Sequence, residues 1–297
     1  MLTHLRQPPV PPSRVVVLGA RGFVAAAVLL RLRGLGVATL GLSSTDLDLT
    51  APGAAERLAA LLREDDALVF VSALTPDRGR DIATLMKNLL MGQQVCAALA
   101  VRPCAHVVYL STDAVYADAA SHVRESTCAE PGSFHGTMHV VRERMLVETL
   151  KTSKTPLTLL RPSLLYGSGD THNGYGPNRF ARTALADRTI ALFGGGEEKR
   201  DHVQIDDVAG IVARVLAHRS AGVLNIASGR SLSFREMAEL VREACGADVR
   251  IVPSERANHV THRHFDVSAL VAAFPDVRFT DPREGVTVMV RALAAAR

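Results

Sequence analysis

The stretch "VVVLGARGFVAAAVLL", residues 15–30, joins an apolar, β-branched run to a helical pattern through two glycines. This order predicts a buried strand, a turn and a helix. Gly19 and Gly22 let the backbone bend sharply and approach a ligand, and the helix that follows presents free amides and the positive end of its dipole. Ala25 fills the third position with a small residue. The turn therefore predicts a pyrophosphate site, with a ligand-free strand-to-helix turn as the alternative.

Strand-like and helix-like segments alternate along most of the chain. Strands are predicted over residues 15–18, 37–42, 67–72, 107–111, 157–161 and 223–228, and helices over residues 22–33, 54–63, 82–101, 135–150, 208–218 and 234–245. Buried apolar strands separated by helices predict an α/β fold with a doubly wound parallel sheet. Two glycine-rich stretches, residues 166–178 and 193–202, are interpreted as substrate-side loops.

Composition excludes several classes of protein. The net charge is only +4, from 34 basic and 30 acidic residues spread along the chain, so we expect no nucleic-acid partner. No apolar run approaches the roughly 18 residues of a membrane span, and the start has no apolar core of a secretory signal. Four dispersed cysteines without a C-x-x-C pair indicate reduced thiols, hence a cytoplasmic location. Those cysteines are Cys96, Cys104, Cys128 and Cys245.

The end of the second predicted strand bears on the type of dinucleotide. An acidic residue there would bind the ribose hydroxyl of NAD, but "LGLSSTD" offers Ser43 and Ser44 instead. Arg21 lies inside the glycine turn, where its charge suits a 2′-phosphate. The pattern favours NADP slightly over NAD, although Arg21 could equally be a surface residue.

These patterns divide the chain into parts. Residues 1–13 are predicted to be a disordered, proline-rich lead-in. Residues 14–165, with 204–228, are predicted to form an NAD(P)-binding Rossmann domain, and residues 166–203 and 229–297 a small substrate-binding cap. Ligands of open α/β sheets bind at the carboxyl ends of the strands, so we expect the site between these parts.

Further motifs identify a family resemblance. With the turn spaced G-A-x-G-F-x-A, the chain carries "DLT" (48–50), "VSALT" (71–75), "KNLLMG" (87–92), "YLSTDAVY" (109–116), "LRPSLLYG" (160–167) and "RDHVQIDDVA" (200–209). From Arg14 to about Glu284 it resembles the extended short-chain dehydrogenases/reductases, the NAD(P)-dependent epimerase/dehydratase group that acts mostly on nucleotide sugars. The resemblance implies a nucleotide-sugar substrate and a possible homodimer through the helix that starts near His135.

The resemblance also assigns roles to individual residues. It implies that Thr112 is the catalytic hydroxyl residue and that Asp113 and Arg200 contact the substrate. It implies cofactor contacts by Gly19, Arg21, Gly22, Phe23, Val24, Asp48, Leu49, Ser72, Ala73, Leu74, Asn88 and Pro162. Two segments have a structural alternative, because their residues fit helix caps. Asp206 and Asp207 would cap a following helix, and Ser233 with Glu236 forms a capping-box pattern.

One motif departs from the family at its centre. "HGTMHVVRE" places His135 where the family has the catalytic tyrosine and His139 where it has the lysine. In the family the tyrosine transfers a proton, and the lysine lowers the pKa of the tyrosine and holds the nicotinamide ribose. Imidazole can take the first role near neutrality. A neutral His139 is a weak substitute for an ammonium group, although Arg142 lies one turn later with a positive charge.

Three functions remain open from the sequence. The chain is an epimerase or reductase with His135 in place of tyrosine, a cofactor-binding pseudoenzyme with a regulatory or scaffold role, or a metal protein. The H-x-x-x-H spacing puts two imidazoles on one helix face, but Gly136 replaces the glutamate of an H-E-x-x-H hydrolase, so no metal is predicted. His259, His262 and His264 are interpreted as a solvated segment. Ala114 replaces the glutamate base of the family's dehydratases, which argues against sugar 4,6-dehydration.

Overall fold

The structure is a computed structural model that describes residues 2–256 and 259–296. A six-stranded parallel sheet forms its centre. The strands in these ranges are β1 (Arg14–Leu18), β2 (Ala38–Leu42), β3 (Ala67–Phe70), β4 (His106–Leu110), β5 (His122–Val123), β6 (Leu157–Pro162), β7 (Leu164–Tyr166), β8 (Thr189–Phe193), β9 (Lys199–Gln204), β10 (Gly222–Ile226), β11 (Ser231–Ser233), β12 (Arg250–Ser254) and β13 (His264–Phe265). The central sheet has the order β10-β6-β4-β3-β1-β2, all parallel. The predicted doubly wound parallel sheet is confirmed.

Helices cover both faces of this sheet. They are α1 (Phe23–Gly34), α2 (Ala54–Leu61), α3 (Ile82–Val101), α4 (Phe134–Ser153), α5 (Pro177–Asp187), α6 (Ile205–Ala217), α7 (Phe234–Cys245), α8 (Ser268–Ala273) and α9 (Pro282–Ala295). Val15 and Val17 of β1 pack with α1 and α6, whereas Val16 and Leu18 pack with α2, α3 and α4. Successive residues of a strand face opposite sides, so a strand buried on both sides is apolar throughout. Burial on both sides of the sheet explains why β1 appears in the sequence as a continuous apolar run.

The strand order places the predicted site. β1 pairs with β2 on one side and with β3 on the other, so the strands that follow β1 are added to opposite sides of it. A crevice forms at the carboxyl ends of the strands at such a point. Gly19 follows β1 directly and therefore lies at this position.

A third core lies outside the central sheet. It contains Phe180 of α5, Ile190 of β8, Met237 of α7 and Met289 of α9. The sequence reading predicted α7 with the observed bounds but missed α5, α8 and α9. The division into a Rossmann domain and a cap stays a prediction.

The stretch of residues 193–202, interpreted as a loop, is corrected by the structure. Its last residues belong to β9, which pairs with β7 and β11. Asp201, His202 and Gln204 of this strand are buried. Because three of its four buried residues are polar, the strand lacks the apolar run from which strands were predicted.

The expectation of a disordered lead-in is also corrected for the residues of that segment that are described, 2–13. The backbone of Thr3 exchanges two hydrogen bonds of 2.8 Å with Ala221. The His4 ring stacks on His218, with 4.2 Å between the centroids, and contacts Ser220 through its Nδ1 at 2.8 Å. Backbone pairing and ring stacking offset the conformational entropy that a proline-rich segment loses on ordering. Residue 1 of the lead-in and residues 257, 258 and 297 of the predicted cap lie outside the described residues.

Two expectations concern the surface. No helix in the described ranges is long and apolar enough to cross a bilayer. Met91, Val95 and Leu99 of α3 face the chain's own core, whereas Ile82 and Met86 are exposed. The cytoplasmic location and the homodimer stay predictions.

Candidate active site

The glycine turn closes tightly onto the end of β3. Gly19 has a φ of +93°, and a Cβ atom there would lie 3.0 Å from the amide nitrogen and the Oγ of Ser72. Gly22 donates to Gly19 O at 2.7 Å and precedes α1, whose first turn carries no acidic residue. Free amides and a positive helix end without a nearby carboxylate suit a phosphate group. The turn therefore fits a dinucleotide on its geometry.

The segment after β3 is held by α3. Asn88 Oδ1 accepts from Leu74 N at 2.8 Å, and Asn88 Nδ2 donates to Leu74 O at 3.0 Å. Ser72, Ala73 and Leu74 are half-buried beside Gly19, as a strip lying along a bound cofactor would be. The structure thus brings this part of the predicted cofactor set together with the turn.

Hydroxyl groups that follow β2 lie beside Arg21 of the glycine turn. The Arg21 guanidinium donates to Thr45 Oγ1, and Ser43 Oγ lies 2.9 Å from the same oxygen. Asp46 accepts from the amide and hydroxyl of Ser43, and these bonds hold the pKa of Asp46 below its usual range. Arg21 has no ion-pair partner among the described side chains, so its charge is available to a ligand.

Other predicted cofactor residues occupy different environments. Phe23 and Leu49 are buried in the cores, Val24 is half-buried in α1, and Asp48 is exposed and accepts from the amide and hydroxyl of Thr50. Pro162 ends β6 beside Ile226.

Thr112 lies where β4 ends and a 3₁₀ helix begins, at Asp113–Val115. Its Oγ1 accepts from Ala114 N at 3.2 Å and so caps this helix. The Thr112 hydroxyl also donates to the Asp113 carboxylate, and this hydrogen bond lowers the pKa of Asp113 against the effect of burial. At the carboxyl end of a central strand, the hydroxyl is positioned to contact a substrate oxygen.

The start of α4 packs directly on this 3₁₀ helix. Ser133 caps α4 by accepting from Gly136 N at 3.2 Å. A Cβ atom at Gly136 would lie 2.1 Å from Ala114 O, so the contact requires glycine. From the sequence, Gly136 was noted only because it replaces the glutamate of a zinc-binding motif. The structure shows that it brings His135 next to the segment that carries Thr112.

His135 and His139 form an edge-to-face pair on α4, with 4.8 Å between the ring centroids. His139 Nδ1 lies 2.7 Å from the hydroxyl oxygen of Tyr109, whereas His135 Nδ1 is buried with no partner among the described residues. Burial, with the charges of Arg142 and His172, lowers the pKa of His135 to about 4. Burial also lowers the pKa of His139 well below its ordinary value. Both imidazoles are therefore neutral at pH 7.

Asp113 and Arg200, the predicted substrate residues, lie near a third charged residue. Arg263 Nη1 is 3.2 Å from Asp113 Oδ2 and also donates to Asp113 O at 3.0 Å. Arg200 donates to the carbonyl and hydroxyl oxygens of Thr261. Burial raises the pKa of Asp113, and the charges of Arg263 and Arg200 oppose that shift. The charges of Glu198 and Asp118 also act on Arg200, so two guanidinium groups lie among three carboxyl groups here.

The family comparison supports this assembly. The model of the NAD dependent epimerase/dehydratase family matches residues 15–227, which include the glycine turn, Thr112 and α4. The chain belongs to this family. The resemblance drawn from the sequence motifs is confirmed, although the match does not address the two histidines.

Individual members of the epimerase/dehydratase family resemble the chain to different extents. It is 30% identical over 154 residues to the dTDP-L-rhamnose 4-epimerase of Burkholderia thailandensis, an alignment that covers 50% of this chain and 42% of that protein. The chain thus aligns with less than half the length of that relative.

Solved structures of the family share the fold. MoeE5 in complex with UDP-glucose and NAD superimposes with a TM-score of 0.82 at 21% identity, covering 95% of this chain and 99% of that chain. RMD from Pseudomonas aeruginosa, complexed with NADPH, gives a TM-score of 0.82 at 22% identity with the same coverage. This family fold therefore holds NAD in one neighbour and NADPH in the other.

Sequence reasoning missed three residues near the predicted site of this family member. Tyr109 was quoted only within a motif, Arg263 only within a histidine-rich segment, and His172 only within a loop. His172 Nδ1 lies 3.1 Å from Asp170, and this hydrogen bond raises the pKa of His172. A basic residue beside histidines is a weak signal, because nothing in the spacing says that Arg263 will reach Asp113.

Two local interpretations were also tested. The capping box of Ser233 and Glu236 is confirmed. The interpretation that Asp206 and Asp207 cap α6 is wrong, because Gln204 caps this helix and Asp207 accepts from Thr280. In the described ranges no three His, Cys, Asp or Glu side chains are grouped to hold a metal, so the metal hypothesis gains no third ligand.

Proposed function

We propose that the chain is an NAD(P)-dependent epimerase or reductase of a nucleotide-linked sugar, with His135 as the proton carrier. The observation that carries the proposal is the buried Nδ1 of His135, which has no partner among the described residues. Buried ring nitrogens of structural histidines are normally paired, and leaving one unpaired costs free energy. An unpaired imidazole beside Thr112, in a family member with an intact glycine turn, is best explained by a ligand that supplies the missing hydrogen-bond partner.

The cofactor, His135 and Thr112 have separate roles in the proposed reaction. The nicotinamide, when bound, supplies or accepts the hydride at a sugar carbon. Neutral His135 accepts the proton of the sugar hydroxyl at its unpaired ring Nδ1 and returns it when the carbonyl is reduced. Thr112 Oγ1 contacts the same sugar oxygen from the carboxyl end of β4. An imidazole that is neutral at pH 7 has the free ring nitrogen that accepting this proton requires.

The charged group of Asp113, Arg200 and Arg263 supports an anionic substrate. Its two guanidinium groups lie next to the 3₁₀ helix that follows Thr112. A nucleotide-linked sugar brings a diphosphate to such a group while its sugar ring lies toward Thr112. UDP-glucose and UDP-N-acetylglucosamine are suitable first probes.

The cofactor preference is a finer part of the proposal. Arg21, Ser43 and Thr45 offer a guanidinium and hydroxyl groups where the adenine ribose would lie, and these suit a 2′-phosphate. We therefore propose NADP(H) as the preferred form, with NAD(H) accepted more weakly.

A titration with NADH and NADPH, followed by cofactor fluorescence, tests the proposal first, because the chain contains no tryptophan. We expect micromolar binding, and then turnover with a panel of nucleotide sugars. His135→Ala should abolish turnover, whereas His218→Ala, at the distant end of α6, should retain it. Cofactor binding without turnover on any sugar would favour the non-catalytic alternative, and undiminished activity of His135→Ala would remove His135 from the mechanism.

A further inference from the structure

Arg142 is a buried cation without an acidic partner. Its guanidinium donates to Asn88 O from Nε at 2.8 Å and from Nη2 at 2.5 Å, and to Ser72 O from Nη1 at 2.7 Å. It also lies 4.9 Å from the centroid of the Phe70 ring. The described residues place no carboxylate within ion-pair distance of it, and a buried, uncompensated charge is costly. Such a cost is typical of a residue kept for function.

The protein makes room for this side chain. A Cβ atom at position 92 would lie 2.9 Å from Cγ of Arg142, so Gly92 of α3 leaves the space that the arginine occupies. The atoms that accept from Arg142 are Ser72 O, beside the glycine turn, and Asn88 O and Oδ1 of α3, which holds that segment. The positive charge thus lies directly behind the strip predicted to contact the cofactor.

Tyr109 connects this cation to His139. The Tyr109 hydroxyl lies 2.7 Å from His139 Nδ1, and it also makes a side-chain hydrogen bond with Arg142. Burial raises the pKa of Tyr109 to about 12, against the opposing charge of Arg142, so the hydroxyl keeps its proton at pH 7. Arg142 can only donate, which leaves His139 Nδ1 as the acceptor of the Tyr109 proton. A neutral His139 that accepts at Nδ1 carries its own hydrogen at Nε2.

We propose that Tyr109 and Arg142 are positioning residues that together replace the lysine of the family. Tyr109 holds His139 in the Nε2–H tautomer, so that His139 donates to the nicotinamide ribose. Arg142 supplies the positive charge that position 139 lacks. The inference rests on the proposed function, because the ribose contact exists only if the cofactor binds.

The tautomer is measurable without activity. Full-length protein labelled with ¹⁵N in the histidine rings is compared with Tyr109→Phe and with Tyr166→Phe, using His139→Asn to assign the His139 signals. Tyr166 is a matched control, because it is equally buried and its hydroxyl has no partner among the described residues. We expect hydrogen at Nε2 in the wild type and in Tyr166→Phe, and a tautomer mixture in Tyr109→Phe. Hydrogen at Nδ1 in the wild type, or an unchanged Tyr109→Phe spectrum, overturns the inference.

The role of the Arg142 charge has its own readout. Arg142→Gln keeps an amide donor for the carbonyls but removes the charge that lowers the pKa of His135. The ¹⁵N titration of His135 should therefore move upward in pH in this variant. A His135 titration identical to that of the wild type would show that the charge is not felt at the site and would overturn this half of the proposal.

Adding NADPH or NADH separates this inference from the proposed function. We expect the His139 Nε2 signal to shift on binding, and Tyr109→Phe to bind several-fold more weakly than Tyr166→Phe. Cofactor binding with an unshifted His139 signal and equal affinities overturns the inference and leaves the proposed function intact. Failure of the wild type to bind either cofactor overturns the proposed function, and the ribose contact with it.

Discussion

Glu143 of α4 and Arg161 of β6 form a two-pronged ion pair inside the protein. Arg161 Nε and Nη2 donate to the two carboxylate oxygens of Glu143 at 2.9 and 2.5 Å, and Arg161 Nη1 donates to the Tyr116 hydroxyl at 3.0 Å. Both charged side chains are more than 90% buried. The pair ties the helix of His135 and His139 to the central sheet, so the position of both histidines depends on it.

Glu143→Gln should destabilise the protein strongly. The substitution leaves Arg161 buried and unpaired, which costs about 3–5 kcal/mol in the free energy of unfolding. Urea unfolding at pH 7 measures the change. Glu148→Gln on the same helix removes an exposed pair with Lys151 and should cost less than about 1 kcal/mol. Similar losses for the two variants would show that the buried pair does not anchor α4.

Gly136→Ala should reduce activity and stability together. A methyl group there would lie 2.1 Å from Ala114 O and 2.7 Å from Pro131 Cβ, so the start of α4 must move away from the segment that carries Thr112. We expect a cost of roughly 1–3 kcal/mol and a loss of turnover. Gly210→Ala is the control, because a Cβ atom at that position of α6 has open space and should stabilise the helix by about 0.5–1 kcal/mol. Normal turnover of Gly136→Ala would separate this contact from the reaction.

Arg21→Ala should weaken NADPH binding and spare NADH. The guanidinium, which has no acidic partner in the described structure, is proposed to pair with the 2′-phosphate, so its loss should raise the Kd of NADPH about tenfold. Fluorescence titration of both cofactors gives the ratio. Arg31→Ala removes another exposed arginine of the same region and should change neither Kd. An equal effect of Arg21→Ala on both cofactors would contradict a 2′-phosphate contact.

Stability should fall as pH falls from about 6.5 toward 4, in part because of His106. Burial lowers the pKa of His106 to about 4, while its Nε2 contacts Ser220 O at 2.7 Å. In that window the unfolded chain binds more protons than the folded one, so stability rises with pH. The contribution is present above the unfolded pKa and amounts to about 2 kcal/mol between pH 7 and pH 5.

His106→Gln removes this titration and keeps an amide donor. Urea unfolding at pH 7 and pH 5 should therefore show a smaller pH effect for His106→Gln than for the wild type. His259→Gln, an exposed histidine, should leave the wild-type pH effect unchanged. Parallel curves for the wild type and His106→Gln would show that His106 does not contribute to acid sensitivity.

The sequence by itself determined the central sheet and the glycine turn. β1 and β3 carry apolar residues on both faces because helices cover both sides of the sheet, and such apolar runs are recognisable from the sequence alone. Gly19 was recognisable because a positive φ and a close approach to Ser72 both require glycine. The bounds of α3 and α7 followed from local periodicity, in α7 together with the capping box at Ser233.

Only the tertiary structure decided how the altered site is arranged. Tyr109 is separated by 30 residues from His139, and Asp113 by 150 from Arg263, so no local pattern links them. β9 escaped prediction because three of its four buried residues are polar, so its burial is decided by the folded chain and not by an apolar pattern. Local propensity and hydrophobic period act between neighbouring residues, whereas the protonation state and tautomer of a buried imidazole depend on groups that folding brings from distant segments.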